Sequence, residues 1–382
     1  MPRAGPEFEE FSGTARMTVR EAILLSPDAM PRQVAPAPGR SRAPIEDDKA
    51  MLRAAVELTR DISTARDAIY WPDMLASALL GYAGLAGAIL FNNVWAAVAS
   101  GLIGALALYR ALLFIHELTH IHKTALPGFR LAWNLLVGIP LLTPSLMYEN
   151  VHTLHHARTR YGTADDPEYL PLGLMKPWSL PLFLLVALLL PVGLLIRSAL
   201  LVPLGAAIPP LRRLVWERAS ALSINPAFRR RPPEGEFKRQ VFWQELGASL
   251  WAMFLVATAA LYDWRPLAIG MAVVSVTAVL NQLRTLVAHL WINEGEPMTV
   301  TAQFLDSVNV PPPGLVAELW APVGLRYHAL HHLLPSMPYH SLPEAHRRLH
   351  RELGLESTYQ QANHPGLLHL VGQLARSTML PR

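Results

Sequence analysis

The chain has 382 residues, 16% charged and 52% apolar, and several of its uncharged stretches approach membrane-spanning length, so it reads as an integral membrane protein. It has no cysteine, which excludes disulfides, thiolate ligands and cysteine-held iron–sulfur clusters, and leaves nitrogen and oxygen as the only metal donors. A net charge of +4 and a pI near 9.4 suit loops facing anionic lipid or an acidic redox partner, and the scattered basic residues carry no nucleic-acid motif.

Residues 1–45 hold Pro2, Pro6, Pro27, Pro31, Pro36, Pro38 and Pro44 among Arg, Glu and Ala, the composition of a disordered tail. No basic start runs directly into an apolar core, which argues against a cleaved signal peptide. Residues 46–70 have an acidic start and apolar residues at helical spacing, which predicts an amphipathic helix on the membrane surface. A membrane domain then occupies 71–350. Its first two spans, about 74–91 and 94–115, are separated only by Asn92-Asn93, so they form an antiparallel hairpin. Residues 129–147 are apolar but broken by Gly138, Pro140 and Pro144, and read as interfacial or re-entrant.

The stretch 178–210 contains Pro181, Pro191, Pro203 and Arg197. Two further spans, about 245–262 and 266–290, form a second hairpin around Asp263-Trp264-Arg265. Between the hairpins, 211–240 carries Arg212, Arg213, Arg218, Arg229, Arg230, Arg231, Lys238 and Arg239 against Glu217, Glu234 and Glu236, which makes that loop cytoplasmic by the positive-inside rule. Residues 291–350 read as a polar cytoplasmic cap and 351–382 as its C-terminal tail. The expected fold is therefore all-α, with four transmembrane helices as two hairpins, interfacial or re-entrant helices and a cytoplasmic helical cap.

Three histidine clusters lie beside these apolar stretches: His116-Glu-Leu-Thr-His120, His152-Thr-Leu-His155-His156 and His328-Ala-Leu-His331-His332. Positions i, i+3 and i+4 share a helix face, so HxxxH aims two imidazoles at a common point and each HxxHH aims three. Six such buried rings in the two HxxHH runs would each need partners if they were mere packing. Eight ligands exceed what one ion accepts, which implies two metals, and imidazole suits Zn, Cu, Fe and Ni alike. Because all three clusters must share one side of the membrane, 178–210 is expected to cross twice or not at all.

Two rivals deserve weight. His116-Glu117-x-x-His120 also spells HExxH, in which Glu117 would be the general base of a zinc metalloprotease, with Asp306 as a conceivable third ligand. Such a site needs three protein ligands and leaves both HxxHH clusters unexplained. A histidine-rich metal transporter would need polar residues at mid-membrane depth, and the spans offer mainly Arg110, Asn281 and Arg284.

The three boxes, in this order and with intervening spans, resemble the membrane fatty acid desaturase superfamily over about residues 70–350. The resemblance extends to Glu149-Asn150 before the second box, Asp165-Asp166-Pro167 after it, and Gly324-Leu325-Arg326-Tyr327 before the third. It implies a non-haem di-iron centre facing the cytoplasm, with dioxygen as co-substrate and electrons from a separate donor of ferredoxin or cytochrome b5 type. By motif, the iron ligands would be His116, His120, His152, His155, His156, His328, His331 and His332. Family members carry a ninth at the end of the last span, here His289. Stearoyl-type members have an asparagine four residues before it, whereas this chain has Thr285.

Around the boxes, His122 is at i+2 and off the ligand face. Arg158, Asp165 and Asp166 are candidates to orient ligand imidazoles through their second nitrogen. His340, His346 and His350 read as a solvated cap helix. His364-Pro365-Gly366 resembles the start of a cytochrome b5 haem motif, but Leu367 replaces the next glycine, so no fused electron donor is expected. The resemblance implies desaturation of a fatty acyl chain, carried as a lipid, on CoA or on acyl carrier protein. Hydroxylation of a lipid, alkane or carotenoid is the alternative within the same chemistry.

Overall fold

The structure, a computed structural model, describes residues 45–313 and 316–379. The expected tail over 1–45 lies outside the described residues except for Ile45. The described residues are helical, with three isolated β-bridges and no strand.

The amphipathic helix expected over 46–70 is shorter, α1 (Lys49–Thr59), and Asp48 caps it by accepting from the Met51 N–H at 3.0 Å. Its apolar residues Met51 and Ala55 are buried in a core shared with Phe304, Leu330, Leu342, Leu349 and Tyr359, so α1 packs with the C-terminal part of the chain.

The first hairpin is α2 (Asp67–Leu90) and α3 (Val94–His120), each longer than its apolar stretch. The Asn93 side chain caps α3 by accepting from the Trp95 and Ala96 N–H groups. The two helices approach at backbone distance because glycines face each other. A Cβ on Gly84 would lie 2.5 Å from the Gly104 nitrogen, and one on Gly81 would lie 2.6 Å from Leu108 Cδ2. Because α3 runs on without a break, His116 and His120 occupy its last two turns.

Among the described residues five helices are long and apolar enough to cross a membrane, one more than the four spans read from the sequence. Residues 178–210 contain one continuous helix, α4 (Ser179–Ala207), with a π-helical stretch at Arg197–Leu201. That leaves no room for a two-crossing hairpin. After the short α5 (Pro209–Ala219), the second hairpin is α6 (Gly235–Leu261) and α7 (Arg265–Leu286). Phe183, near one end of α4, clusters with Leu286 at the end of α7, while Leu194 clusters with Met147 and with Val241 near the start of α6. Both anchor points lie at the box-proximal ends of the second hairpin. Within α4, Arg197 is buried and donates to Glu245 Oε1 and Ser220 Oγ, both at 2.7 Å, and Arg212 meets the other Glu245 oxygen at 2.6 Å. The outward faces of the candidate spans are apolar, for example Leu79, Leu102, Leu189, Leu250 and Phe254, as lipid contact requires.

The cap is bolted to the first hairpin by buried polar contacts. Asp73 accepts from Arg110 Nε at 2.7 Å and from the Tyr339 hydroxyl at 2.7 Å. Glu117 accepts from the Tyr70 hydroxyl and the Tyr339 N–H, and Tyr109 donates to the Trp320 carbonyl. Arg110, apparently stranded in a span when the sequence is read alone, is thus neutralised within its own hairpin.

Candidate metal centre

Each histidine is delivered by a different local device. His152 and His155 lie on a single helical turn, with His156 as its C-cap. His328, His331 and His332 lie on α9 (His328–Leu333) of the cap, with α8 (Val300–Asp306) packed beside it. His289 follows the end of α7, where an antiparallel bridge to Ser307 fixes it, with Leu290 N–H donating to Asp306 O at 2.7 Å and Val308 N–H to Ala288 O at 3.0 Å. The same segment then pairs Asn309 with Tyr327, so His289 and His328 are set by neighbouring extended stretches that zip together.

All nine sequence-selected histidines gather, and they sort into two groups. His116, His120, His152, His156 and His331 have ring nitrogens within 4.8 Å of one another, as do His155, His289, His328 and His332. This corrects one expectation, because an HxxHH box does not aim its three rings at a common point. At about 100° per residue, i+4 lies about 40° to one side of i and i+3 about 60° to the other. His152 and His156 therefore serve one group and His155 the other; His328 and His332 serve the second group and His331 the first.

The fit to metal is read from the nitrogens. The Nε2 atoms of His152 and His156 are 3.0 Å apart, as are those of His156 and His331; His289 and His328 are at 3.1 Å, and His328 and His332 at 3.2 Å. Two nitrogens bound at about 2.1 Å to one ion are about 3 Å apart when they subtend a right angle. Without an ion, rings face each other nitrogen to nitrogen, and both nitrogens of His116 and the Nε2 of His120 are buried with no partner. Burial holds His152, His156, His289, His328, His331 and His332 well below the ordinary imidazole pKa, the neutral form that ligation needs. The donor set, nitrogen only with five and four positions, suits two ions.

Outer partners fix the rings. His155 Nδ1 lies 2.9 and 3.1 Å from the two oxygens of Asp166, which is fully buried. Burial pulls the His155 pKa down, but the Asp166 charge and hydrogen bond, helped by Glu168 and Asp306, outweigh it and raise the pKa. His152 Nδ1 meets Glu168 Oε1 and the Tyr148 hydroxyl, both at 2.9 Å, and burial pushes the Glu168 carboxyl up to about 7. His289 Nδ1 meets the Tyr161 hydroxyl at 2.8 Å and Ser307 Oγ at 3.2 Å, and Tyr161 also donates to Asp306. Burial raises Asp306 to about 6.

Of the three orienting candidates, only Asp166 does that work; Arg158 pairs with Asp47, and Asp165 is exposed. Glu168, Tyr148, Tyr161 and Ser307 were missed. Glu168 and Tyr148 flank the second box, a signal that proximity offered, whereas nothing local links Tyr161 to His289. His122 is exposed and bonds Thr124. His346, expected in solvent, is buried against the Tyr359 hydroxyl, and His350 is exposed. The protease reading loses its base, because Glu117 is held by Tyr70 and Tyr339. Asp306 lies behind His289 at 4.0 Å from Nδ1, in the other group from His116 and His120.

A cleft of about 160 Å³ opens beside the five-histidine group, lined by Thr119, Lys123, Arg130, Glu149, Thr153 and Phe237 among others. It is half polar, and Glu149 in it pairs with Arg130 at 3.0 Å.

Helices long and apolar enough to cross a membrane, and two imidazole groups with carboxylate and tyrosine supports that could each hold a metal ion, are the features of the histidine-box class. The family model for fatty acid desaturases matches residues 93–362, and the chain belongs to that family. It is 49% identical over 331 residues to a ceramide hydroxylase of Caulobacter vibrioides, covering 86% of this chain and 94% of that protein. No solved structure matches it significantly.

Proposed function

We propose that the chain is a di-iron hydroxylase of a ceramide-type or closely related acyl lipid. The similarity to a ceramide hydroxylase over nearly the whole length carries the choice of hydroxylation over the desaturation expected from sequence. The two histidine groups would hold one iron each, and the iron pair supplies the activation of dioxygen. The balance is one C–H bond and O₂ with two electrons and two protons, giving one C–OH and one water, the electrons coming from an external donor of ferredoxin or cytochrome b5 type.

The chain's own residues do the remaining work. Asp166, Glu168, Tyr148, Tyr161 and Ser307 hold the ligand rings so that little reorganisation is left for the reaction. His331 of α9 packs against His116 and His120 of the first hairpin, and seven of the nine rings are buried, which limits access of bulk water. The cleft by Thr119 and Lys123 suits the hydroxyl and amide groups of a neutral lipid head, and acyl burial contributes about 0.8 kcal/mol per CH₂. We also assign four crossings, with α4 running along the box-proximal side of the bundle. An odd number of crossings between His156 and His289 would split the site across the bilayer; Phe183 near the start of α4 packs by Leu286, and Leu194 in its second half packs by Met147 and Val241, which supports a course that returns to the box-proximal side. The arginine-rich segment 211–240 supports a cytoplasmic position for the centre.

Lipid extracts of cells expressing the chain with a ceramide substrate test this reading. Gain of one oxygen by the lipid is expected, lost in His332→Ala. Loss of two hydrogens instead would restore desaturation. Metal analysis should find close to two irons per chain; one zinc with no iron, after iron-replete expression, would overturn the di-iron assignment.

A further inference from the structure

Apart from the two histidine groups and the Thr119 cleft, one small cavity gathers polar groups whose hydrogen bonding is incomplete. It has about 10 Å³ of space for the centre of a water-sized body and is lined by Arg284, Val287, Val308, Leu325, Arg326 and His328 among others. Three of its lining side chains each carry one buried nitrogen with no partner: Arg284 Nε, Arg326 Nη2 and His328 Nδ1. All three residues are at least nine-tenths buried.

Both guanidinium nitrogens are obligatory donors. His328 turns Nε2 toward His289 and His332, so its proton sits on Nδ1 and makes a third donor. The cavity therefore presents three unpaired donors. Four of its carbonyls already accept one bond each: Ala288 O from Val308 N–H, Val308 O from Ala329 N–H, Val310 O from Arg326 Nε, and Trp320 O from the Tyr109 hydroxyl. A water molecule would accept two of the three bonds and leave the third donor unpaired.

Charge points the same way. Arg284 makes no ion pair among the described residues; its Nη2 reaches Asn281 Oδ1 at 3.4 Å and Thr285 Oγ1 at 3.1 Å, and the Tyr109 hydroxyl lies close to it. Arg326 makes one, with Glu318, through its Nη1 at 3.1 Å. With Glu168 acting on it only through space and no carboxylate in contact, the buried Arg284 guanidinium beside His328 lacks a paired counter-charge, which is costly. The other ligand rings with an outer partner on Nδ1 have carboxylates or hydroxyls there, whereas His328 has this cavity.

We propose that the cavity is a binding site for a small inorganic anion of halide size, held by Arg284, Arg326 and His328. The anion neutralises Arg284 and takes the place, behind His328, that Asp166 takes behind His155. The proposal rests on the metal reading only for the proton on His328; the two guanidinium groups carry the rest.

The probe is bromide. The iron-loaded, detergent-solubilised full chain is crystallised with bromide replacing chloride, and diffraction is recorded at the bromine edge. An anomalous peak within hydrogen-bond distance of both guanidinium groups is expected. In solution, the unfolding midpoint should rise with chloride and saturate when gluconate keeps the ionic strength constant, and Arg326→Gln should raise the half-saturating concentration at least tenfold. No peak in the cavity, or a midpoint indifferent to the halide, overturns the proposal and leaves water as the occupant. Because bromide is read separately from iron, a bromide peak in protein that takes up no iron under iron-replete conditions would overturn the metal reading and keep the anion site.

Discussion

Replacing Asp166 by asparagine keeps the shape of the side chain and reverses one of its two hydrogen-bonding ends. One carboxylate oxygen accepts from His155 Nδ1 at 3.1 Å and from the Glu168 N–H at 2.8 Å; the other accepts from His155 at 2.9 Å and from the Gly162 N–H at 2.8 Å. Whichever way the amide is turned, its NH₂ faces a buried backbone N–H, which is left without an acceptor. That costs about 1–3 kcal/mol. The bond to His155 loses its charge assistance as well, and disturbing such outer partners lowers metal affinity by about 10–100-fold. Because His155 belongs to the four-histidine group, the loss should fall on that position alone. Under limiting iron, Asp166→Asn should purify with nearer one iron per chain than two, and Mössbauer spectra should lose one of two sites. Asp165→Asn, which touches no ligand ring, is the control. Unchanged iron content in the Asp166 variant, at iron limiting enough to resolve a tenfold change, would refute the outer-partner reasoning.

Three further outcomes are expected. Glu117→Gln should keep iron and lipid oxidation, because Glu117 is a tie between α3, Tyr70 and Tyr339; it should unfold about 1–3 kcal/mol more easily, and activity abolished with iron and fold intact would contradict this. Gly84→Ala should destabilise the first hairpin by about 1–3 kcal/mol through overpacking, since its Cβ meets the Gly104 backbone at 2.5 Å, seen as a lower unfolding midpoint in detergent. Burial, with His350 and nearby arginines, holds His346 at about 4 against an ordinary 6.5. Above 6.5 both folded and unfolded states are neutral there; as pH falls from 6.5 to 4 only the unfolded state takes the proton, so stability is lost across that window. His346→Asn should flatten the acid limb of stability against pH, and an unchanged limb would show that other groups set it.

How much of this was readable beforehand follows from range. The spans were legible because lipid demands long apolar runs, and the Asn92-Asn93 and Asp263-Trp264-Arg265 turns are local signals. The nine histidines were legible as a set because box spacing is itself a helical signal. Their division into two groups was not read, although it lies in the angular difference between i+3 and i+4. Tyr161 behind His289, and α1 packed into the cap, are contacts across more than a hundred residues and leave no local trace. The course of α4 stayed open between two crossings and none for a different reason: hydropathy measures what a helix can be buried in and carries no information about its angle to the membrane plane.

One feature of α3 reaches beyond the site itself. A single unbroken helix carries the exposed Trp95 at its start and His116 and His120 at its end. Trp95, with Phe91, Tyr262 and Trp264 exposed around the two hairpin turns, is of the type that settles at a membrane–water boundary. The rod therefore acts as a dipstick. On the proposed topology one end would sit at the distant interface while the other bears two of the rings, so helix length would set the height of the centre above the opposite leaflet. Which carbon of an embedded chain lies level with the centre would then be a property of the bilayer's thickness as much as of the protein.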